Sequence, residues 1–377
     1  MKTYPLESIS LDKAMEFQFR MIDEITKEFA GHEILNRGDL GVVPGLNKPV
    51  TTYKAEKVVA RFFHSEEAIM VRGSGTGAIR YALFSCIKAN EKLLVHTAPV
   101  YSTTVTTVEM LGLNLVRANF NDLDDIERVM RENPDIKCAL VQYTRQAIDD
   151  SYDMEEVIKK IKSIHDIPVV TDDNYAVMKV SKIGTECGAD LSCFSCFKLG
   201  GPEGIGMVVG KKEYIDVLYK HHYSGGSQTQ GHEALDVLHG LVYAPVSLAI
   251  QAKVNDELVS RLNNNEIEEV KLAFLANAQS KVLLVEFKEN IAKKVLEEAE
   301  KLGALRNPVG AESKYEMSPL FYRVSGTFKK SDPTIDERMI RINPNRAGVD
   351  TILRILKESI KRVRWCLFTK QLKETRN

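Results

Sequence analysis

From residue 68 to residue 209 the chain alternates short apolar segments with stretches of helical periodicity, and that alternation limits the fold more than any other feature. Ala68–Val71, Leu93–His96, Asn114–Val116, Cys138–Tyr143, Pro168–Thr171 and Leu191–Phe197 read as strands. Between them Gly73–Ile87 and Leu123–Arg131 read as helices, and Met154, Val157, Ile158, Ile161 and Ile164 mark one face of another. Such strand–helix–strand repeats build a mostly parallel sheet with helices on both faces. Only residues 198–204 precede the next apolar run, Ile205–Val209, too few for a parallel crossover. That strand is expected to run antiparallel, giving a mixed sheet.

The flanks read differently. Residues 8–29 have the pattern of an amphipathic helix, and a glycine- and proline-bearing loop, Asn36–Asn47, follows. Thr51 or Thr52 is placed to cap the next helix, with Ala55, Val58, Val59, Phe62 and Phe63 on one face. Leu235–Leu262 reads as a long helical bridge. Beyond it come a strand at Val282–Phe287, a helix at Ile291–Leu302, strands at Glu316–Val324 and Met339–Ile342, and a final helix from Val349. The expected organisation is an N-terminal helix and interface loop over 1–50, a large α/β domain over 51–262, and a small α+β domain over 263–377.

Charge and cysteine usage narrow the partners. The formal net charge of -1 gives no electrostatic case for nucleic acid or a membrane surface. No apolar run is expected to span a bilayer, and the first thirty residues lack a signal-peptide core. Six scattered cysteines fit reduced thiols in the cytoplasm. Cys193 and Cys196 form a lone C-x-x-C inside a strand, and the histidines show no ligand spacing, so no metal is expected.

The chemistry gathers where the strands end. Leu191–Phe197 is followed by Lys198 and then by Gly200, Gly201, Pro202 and Gly204. An amine at the rim of a dry region is favoured in its neutral, nucleophilic form and can condense with a carbonyl, which pyridoxal phosphate (PLP) would supply. A lysine that merely extends its ammonium to solvent is the alternative. In Val71-Arg-Gly-Ser-Gly-Thr-Gly-Ala-Ile-Arg80 a strand runs into a helix, so Gly75, Thr76 and Gly77 can present amides to a phosphate. The following strand ends without the acidic residue that a dinucleotide needs, and no P-loop is present.

Pro168-Val-Val-Thr-Asp-Asp-Asn-Tyr175 ends a strand on two carboxylates, of which Asp172, first after the apolar run, is expected to point inward. At about 4 Å and an effective dielectric of about 20, a carboxylate beside a pyridinium gains roughly 4 kcal/mol. That is worth about three pKa units at most, enough to keep the ring protonated near neutral pH. Tyr101, at another strand exit, could stack on a ring. Gln142, polar inside an apolar strand, needs a hydrogen-bond partner, for which a ring hydroxyl is one candidate. Arg341, alternating with apolar neighbours in Met339-Ile-Arg-Ile-Asn-Pro344, suits two-point capture of a substrate carboxylate. A turn, a half-buried tyrosine and a structural arginine are the plainer alternatives.

With these residues in this order, the chain resembles fold-type I PLP-dependent enzymes from about residue 36 to its end. Phe194-Ser-Cys-Phe-Lys-Leu-Gly-Gly-Pro202 resembles the lysine segment of selenocysteine synthase-like proteins, one residue shorter near the lysine. Tyr101-Ser-Thr-Thr104 and Asp173-Asn-Tyr-Ala176 are similar to segments of the cystathionine lyase branch of Cys/Met metabolism. The combination also resembles YhfS-like proteins grouped with class V aminotransferases, which usually stack a histidine where this chain has Tyr101. The resemblance implies that Lys198 forms the aldimine with PLP, that Asp172 faces the ring nitrogen, and that Tyr101 stacks on the ring. It implies that Ser195 and the Gly75–Gly77 loop hold the phosphate. It also implies a homodimer or homotetramer in which Ser224, Gly226 and the 36–53 loop complete a neighbouring site.

The expected function is transformation of an amino acid through a Cα carbanion, leaning to carbon–sulfur lyase-type elimination, with class V-like aminotransfer as the alternative. A catalytically silent binding or regulatory protein on the same fold is the alternative of another class.

Overall fold

The computed structural model describes residues 2–147, 149–277, 282–310, 312–324 and 332–374. These fall into two compact units, one of Leu6–Gln146 with Asp150–Leu248, the other of Met1–Pro5, Ala147–Asp149 and Ala249–Asn377. The division falls inside the helix Gly231–Asn263, and residues 6–50 go with the larger unit.

The larger unit is built on a mixed seven-stranded sheet of β1 (Glu67–Arg72), β2 (Lys92–His96), β3 (Asn114–Ala118), β4 (Ile136–Gln142), β5 (Val169–Asp172), β6 (Leu191–Ser195) and β7 (Ile205–Gly210). Their order is β1-β7-β6-β5-β4-β2-β3. The β3-β2-β4-β5-β6 pairings are parallel, and β7 is antiparallel to both β6 and β1, as the short connection required. Along β4, Cys138 and Leu140 enter one core while Ala139 and Val141 enter the other. Both faces are therefore covered, which explains why the strands read as unbroken apolar runs. Two helices, Ser102–Leu111 and Lys212–His221, were not among the expected elements.

In the smaller unit, β8 (Val270–Ala276), β9 (Val282–Phe287), β10 (Leu320–Arg323) and β11 (Met339–Asn343) form an antiparallel sheet in the order β10-β11-β9-β8. Leu283, Val285, Ile340 and Ile342 pack one core with Val295, Leu296, Ile352 and Leu356 of its helices. β8 escapes a periodicity reading because only Val270, Ala273 and Ala276 are buried along it, which is neither strict alternation nor a continuous run.

Two expectations need correction. The helix Gly231–Asn263 is long and apolar enough to cross a bilayer by length and composition, contrary to the reading of the runs. Of its most apolar window, 61% is buried within the protein, so Leu235, Leu238 and Leu241 serve as core. The helix Val50–Phe62 is not capped by Thr51 or Thr52. Asp39 caps it, accepting the amides of Val50 (2.6 Å) and Thr51 (2.9 Å). The same Asp39 backbone oxygen receives Gly231 N–H at 3.0 Å, which ties the 36–53 loop down.

Candidate active site

The carboxyl ends of β2, β4, β5 and β6 open on one side of the larger sheet, and the chemistry-bearing residues collect there. In register, Gln142 of β4 stands beside Asp172 of β5, and Asp172 beside Cys193 of β6. Asp172 is buried, and Oδ1 accepts both the amide (3.1 Å) and the Nδ2 (2.7 Å) of Asn174. Burial pushes its carboxyl above the usual range. The Asn174 hydrogen bonds and the nearby Lys198 ammonium offset only part of that rise. Asp173 turns away from this crevice. It is fully buried, Oδ2 accepts Gly184 N–H at 3.0 Å, and desolvation raises it to about 7.

Lys198 lies just past the expected strand end. β6 stops at Ser195, and Lys198 sits in a single tight turn, Phe197–Leu199, closed by hydrogen bonds that the Leu199 and Gly201 amides donate to Cys196 O. The lysine is half-buried, and Nζ lies 3.8 Å from the centroid of the Tyr175 ring.

The glycine-rich stretch becomes the entry of the helix Ser74–Cys86. Gly73 takes φ +99°, and its amide and that of Ser74 donate to Gly204 O of the turn after Lys198. Gly75 and Thr76 stand in the first turn, where amides have no intrahelical acceptor. No side chain fits at Gly77, because a β-carbon would stand 2.1 Å from Arg72 O. At Gly75 it would stand 2.5 Å from Asn174 Oδ1. Ser74 Oγ and Ser195 Oγ share a hydrogen bond of 2.6 Å, and Asn174 Oδ1 accepts Ser195 N–H at 3.0 Å. Asn174 thus ties the helix entry, β6 and Asp172 together. The donor set at this helix N-terminus, amides and hydroxyls without a carboxylate, suits a phosphate monoester.

A small cavity of about 30 Å³ is lined by His96, Gln142, Tyr152 and Asp172, and by Val100 and Thr104 on either side of Tyr101. Tyr101 itself stands at the start of the helix Ser102–Leu111 with 53% of its surface exposed, outside the cavity lining. His96 is held on both nitrogens: Nδ1 accepts Phe120 N–H at 2.9 Å, which assigns the other hydrogen to Nε2, 3.0 Å from Asp150 Oδ1. Gln142 is half-buried, and its backbone oxygen accepts the Tyr152 hydroxyl at 2.5 Å.

The structure therefore groups Gly75, Thr76, Gly77, Ser195, Lys198, Asp172 and Gln142. Arg341 belongs to β11 of the smaller unit, where its Nε donates to Arg323 O at 2.8 Å and its guanidinium lies 4.0 Å from the Tyr322 ring centroid. Ser224 and Gly226 are exposed in a turn of the larger unit. Ser74, Asn174 and Tyr175 are the contributors that spacing did not single out. Ser74 was inside the glycine motif, and the Asx-rich run Asp172-Asp-Asn174 was the available signal for the turn. Among the described residues no cluster of ligating side chains could hold a metal.

Comparison with known proteins identifies the family and the fold. Residues 49–239 match the Aminotransferase class-V family and residues 256–356 the YhfS-like, C-terminal domain. Protein YhfS of Escherichia coli (strain K12) is 54% identical over 361 residues, covering 96% of this chain and 99% of that protein. A crystal structure of the pyridoxal-5'-phosphate dependent protein YhfS from Escherichia coli superposes with a TM-score of 0.94 at 53% identity, covering 96% of this chain and 100% of the other. A putative cystathionine beta-lyase involved in aluminium resistance from Listeria monocytogenes shares the fold, with a TM-score of 0.70 at 19% identity over 94% of this chain and 95% of that one. With both halves matched and more than half of the residues shared along nearly the whole length, the chain belongs to the YhfS family of the fold-type I architecture.

Proposed function

We propose that the chain is a cytoplasmic PLP-dependent enzyme that acts on an amino acid, with carbon–sulfur lyase-type elimination as its reaction. One observation carries the reading: the buried Asp172 carboxylate and the Lys198 amine face one crevice, beside a helix N-terminus furnished with hydroxyls. The PLP dependence of YhfS, a relative of more than half identity, supports it. The six cysteines are unpaired, in keeping with a reducing compartment.

The donor set fits the cofactor at both ends. The amides of Gly75 and Thr76, the packing space kept by Gly77, and the Ser74 and Ser195 hydroxyls would hold the phosphate. Asp172 would keep a proton on the pyridine nitrogen, Gln142 would meet the ring hydroxyl, and Tyr101 would cover the ring face. Bound there, PLP supplies an aldehyde and a sink for negative charge at the substrate Cα. Lys198 would move the substrate Cα proton as general base and acid. Burial of the site excludes water, and the Asn174 hydrogen bonds keep Asp172 aimed and favour its ionised form against the cost of burial.

The 36–53 loop and the turn bearing Ser224 and Gly226 are joined through Gln230, whose Oε1 accepts Gly41 N–H at 2.7 Å and whose Nε2 donates to Gly225 O at 3.0 Å. Leu40, Val42 and Tyr223 are exposed on or beside these segments. We assign this surface to a homodimer contact, with a homotetramer as the further possibility.

The experiment is a panel of amino acids incubated with the PLP-loaded protein. Pyruvate and ammonia released without an added 2-oxo acid support elimination. Turnover that requires a 2-oxo acid supports aminotransfer, the second reading, which the class-V match over residues 49–239 favours. Turnover of no member of the panel favours a binding or regulatory protein.

A further inference from the structure

Tyr175 has no part in the chemistry above, yet its backbone is held in a costly conformation. Its φ is +65°, in the left-handed region that aromatic residues seldom enter, and Met178 nearby has φ +64°. The turn is pinned from both sides. Asp172 Oδ1 accepts the Asn174 amide at 3.1 Å, and Asp173 O accepts the amides of Ala176 (3.0 Å) and Val177 (3.2 Å). Strain kept in place by surrounding bonds points to a function for the side chain that it aims. Here the ring is aimed at Lys198: Nζ lies 3.8 Å from its centroid, against 5.7 Å for Nζ of Lys179. A cation at that distance from an aromatic face is attracted by the ring quadrupole. Lys198 itself stands on a short turn before Gly200 and Gly201, with a long side chain of many rotamers to restrict.

We propose that Tyr175 is a positioning residue for Lys198, its ring face holding Nζ in the crevice beside Asp172, where the cofactor aldehyde arrives. The inference rests on the PLP reading. In the attachment step the ammonium held by the ring first gives one proton to solvent; the neutral Nζ then forms a C=N bond to the aldehyde carbon, and the aldehyde oxygen leaves as water with the two remaining amine hydrogens. Tyr175 takes no part in bond making. It raises the fraction of time in which the amine is in place.

The test uses the full chain stripped of cofactor and mixed with PLP. The rate of attachment is followed by absorbance, and the lysine modified is identified by peptide mass after borohydride reduction. Y175F keeps the ring; Y175N removes it but suits the left-handed backbone better. Y175L is a second ringless variant if Y175N does not fold. The expected result is attachment within about twofold of wild type for Y175F, and slowing of about three- to thirty-fold for the ringless variants, the range open to a ring–cation contact. Competition by inorganic phosphate, which reads the other end of the site, is expected to be unchanged. A ringless variant as fast as wild type, or Y175F as slow as the ringless variants, overturns the role of the ring while leaving PLP dependence intact. Wild-type protein that fixes no PLP on Lys198 overturns both.

Discussion

Ser74 and Ser195 lie 121 residues apart in the chain, yet their hydroxyls share a 2.6 Å hydrogen bond that joins the first turn of a helix to the end of β6. The bond brings the glycine-rich entry and the lysine turn into one site. Either hydroxyl alone can still face a phosphate, but the pair directs both. S195A is expected to weaken PLP binding about ten- to a hundredfold, about the worth of one hydrogen bond to a charged group, while Tm changes little. Fluorescence titration of the apo protein checks this. Unchanged affinity would remove Ser195 from the phosphate site.

Asp172 shows a trade between stability and function. Its carboxyl is raised by burial, so the ionised form is held in the folded protein at a cost. D172N is expected to raise Tm and to lower turnover by at least about a hundredfold, since a neutral amide cannot keep the ring nitrogen protonated. Calorimetry and steady-state rates of the same preparation test both halves. A destabilised D172N, or one with wild-type turnover, would contradict the assignment.

Asp173 is expected to control stability rather than chemistry. Its folded value of about 7 lies above the ordinary 3.8, so the folded state binds the extra proton between these limits. The contribution is most favourable below the ordinary value and is lost as pH rises through the folded value. D173N is therefore expected to be more stable than wild type at pH 8, by as much as about 4 kcal/mol for a shift of this size. That advantage should shrink steadily as pH falls from 7 toward 4. Denaturant melts at several pH values measure it, and a pH-independent difference would show that Asp173 does not titrate in this range.

Two glycines provide a paired test of the cradle. A β-carbon at Gly77 would meet Arg72 O at 2.1 Å, whereas at Gly226 nothing lies within 4 Å. G77A is expected to lose about 1–3 kcal/mol, as overpacking against backbone does, and to weaken PLP binding. G226A should stay within about 0.5 kcal/mol of wild type. Equal effects of the two substitutions would contradict the packing account.

The parts of this site that local chemistry determines were legible in the sequence. Lys198 stood out because an amine ended an apolar run before four glycine and proline residues, and Asp172 because it was the first carboxylate after another. The antiparallel turn of β7 followed from the length of residues 198–204 alone. What escaped depends on partners distant in the chain. Asp39 caps a helix that begins at Val50, so no local cap could be read. Asn174 acquires its three tasks only when β5, β6 and the helix entry converge. Tyr175 matters through a left-handed φ that no residue pattern announces. β8 buries every third residue, without the two-residue alternation that marks a strand.

The most direct measurement takes the purified full-length protein, adds PLP, reduces with borohydride and maps the modified peptide. The expected result is a yellow protein whose colour is discharged by the reductant, with the pyridoxyl phosphate group found on Lys198 and absent from K198A. A protein that stays colourless with PLP, or a label carried by another lysine while Lys198 remains unmodified, would contradict it.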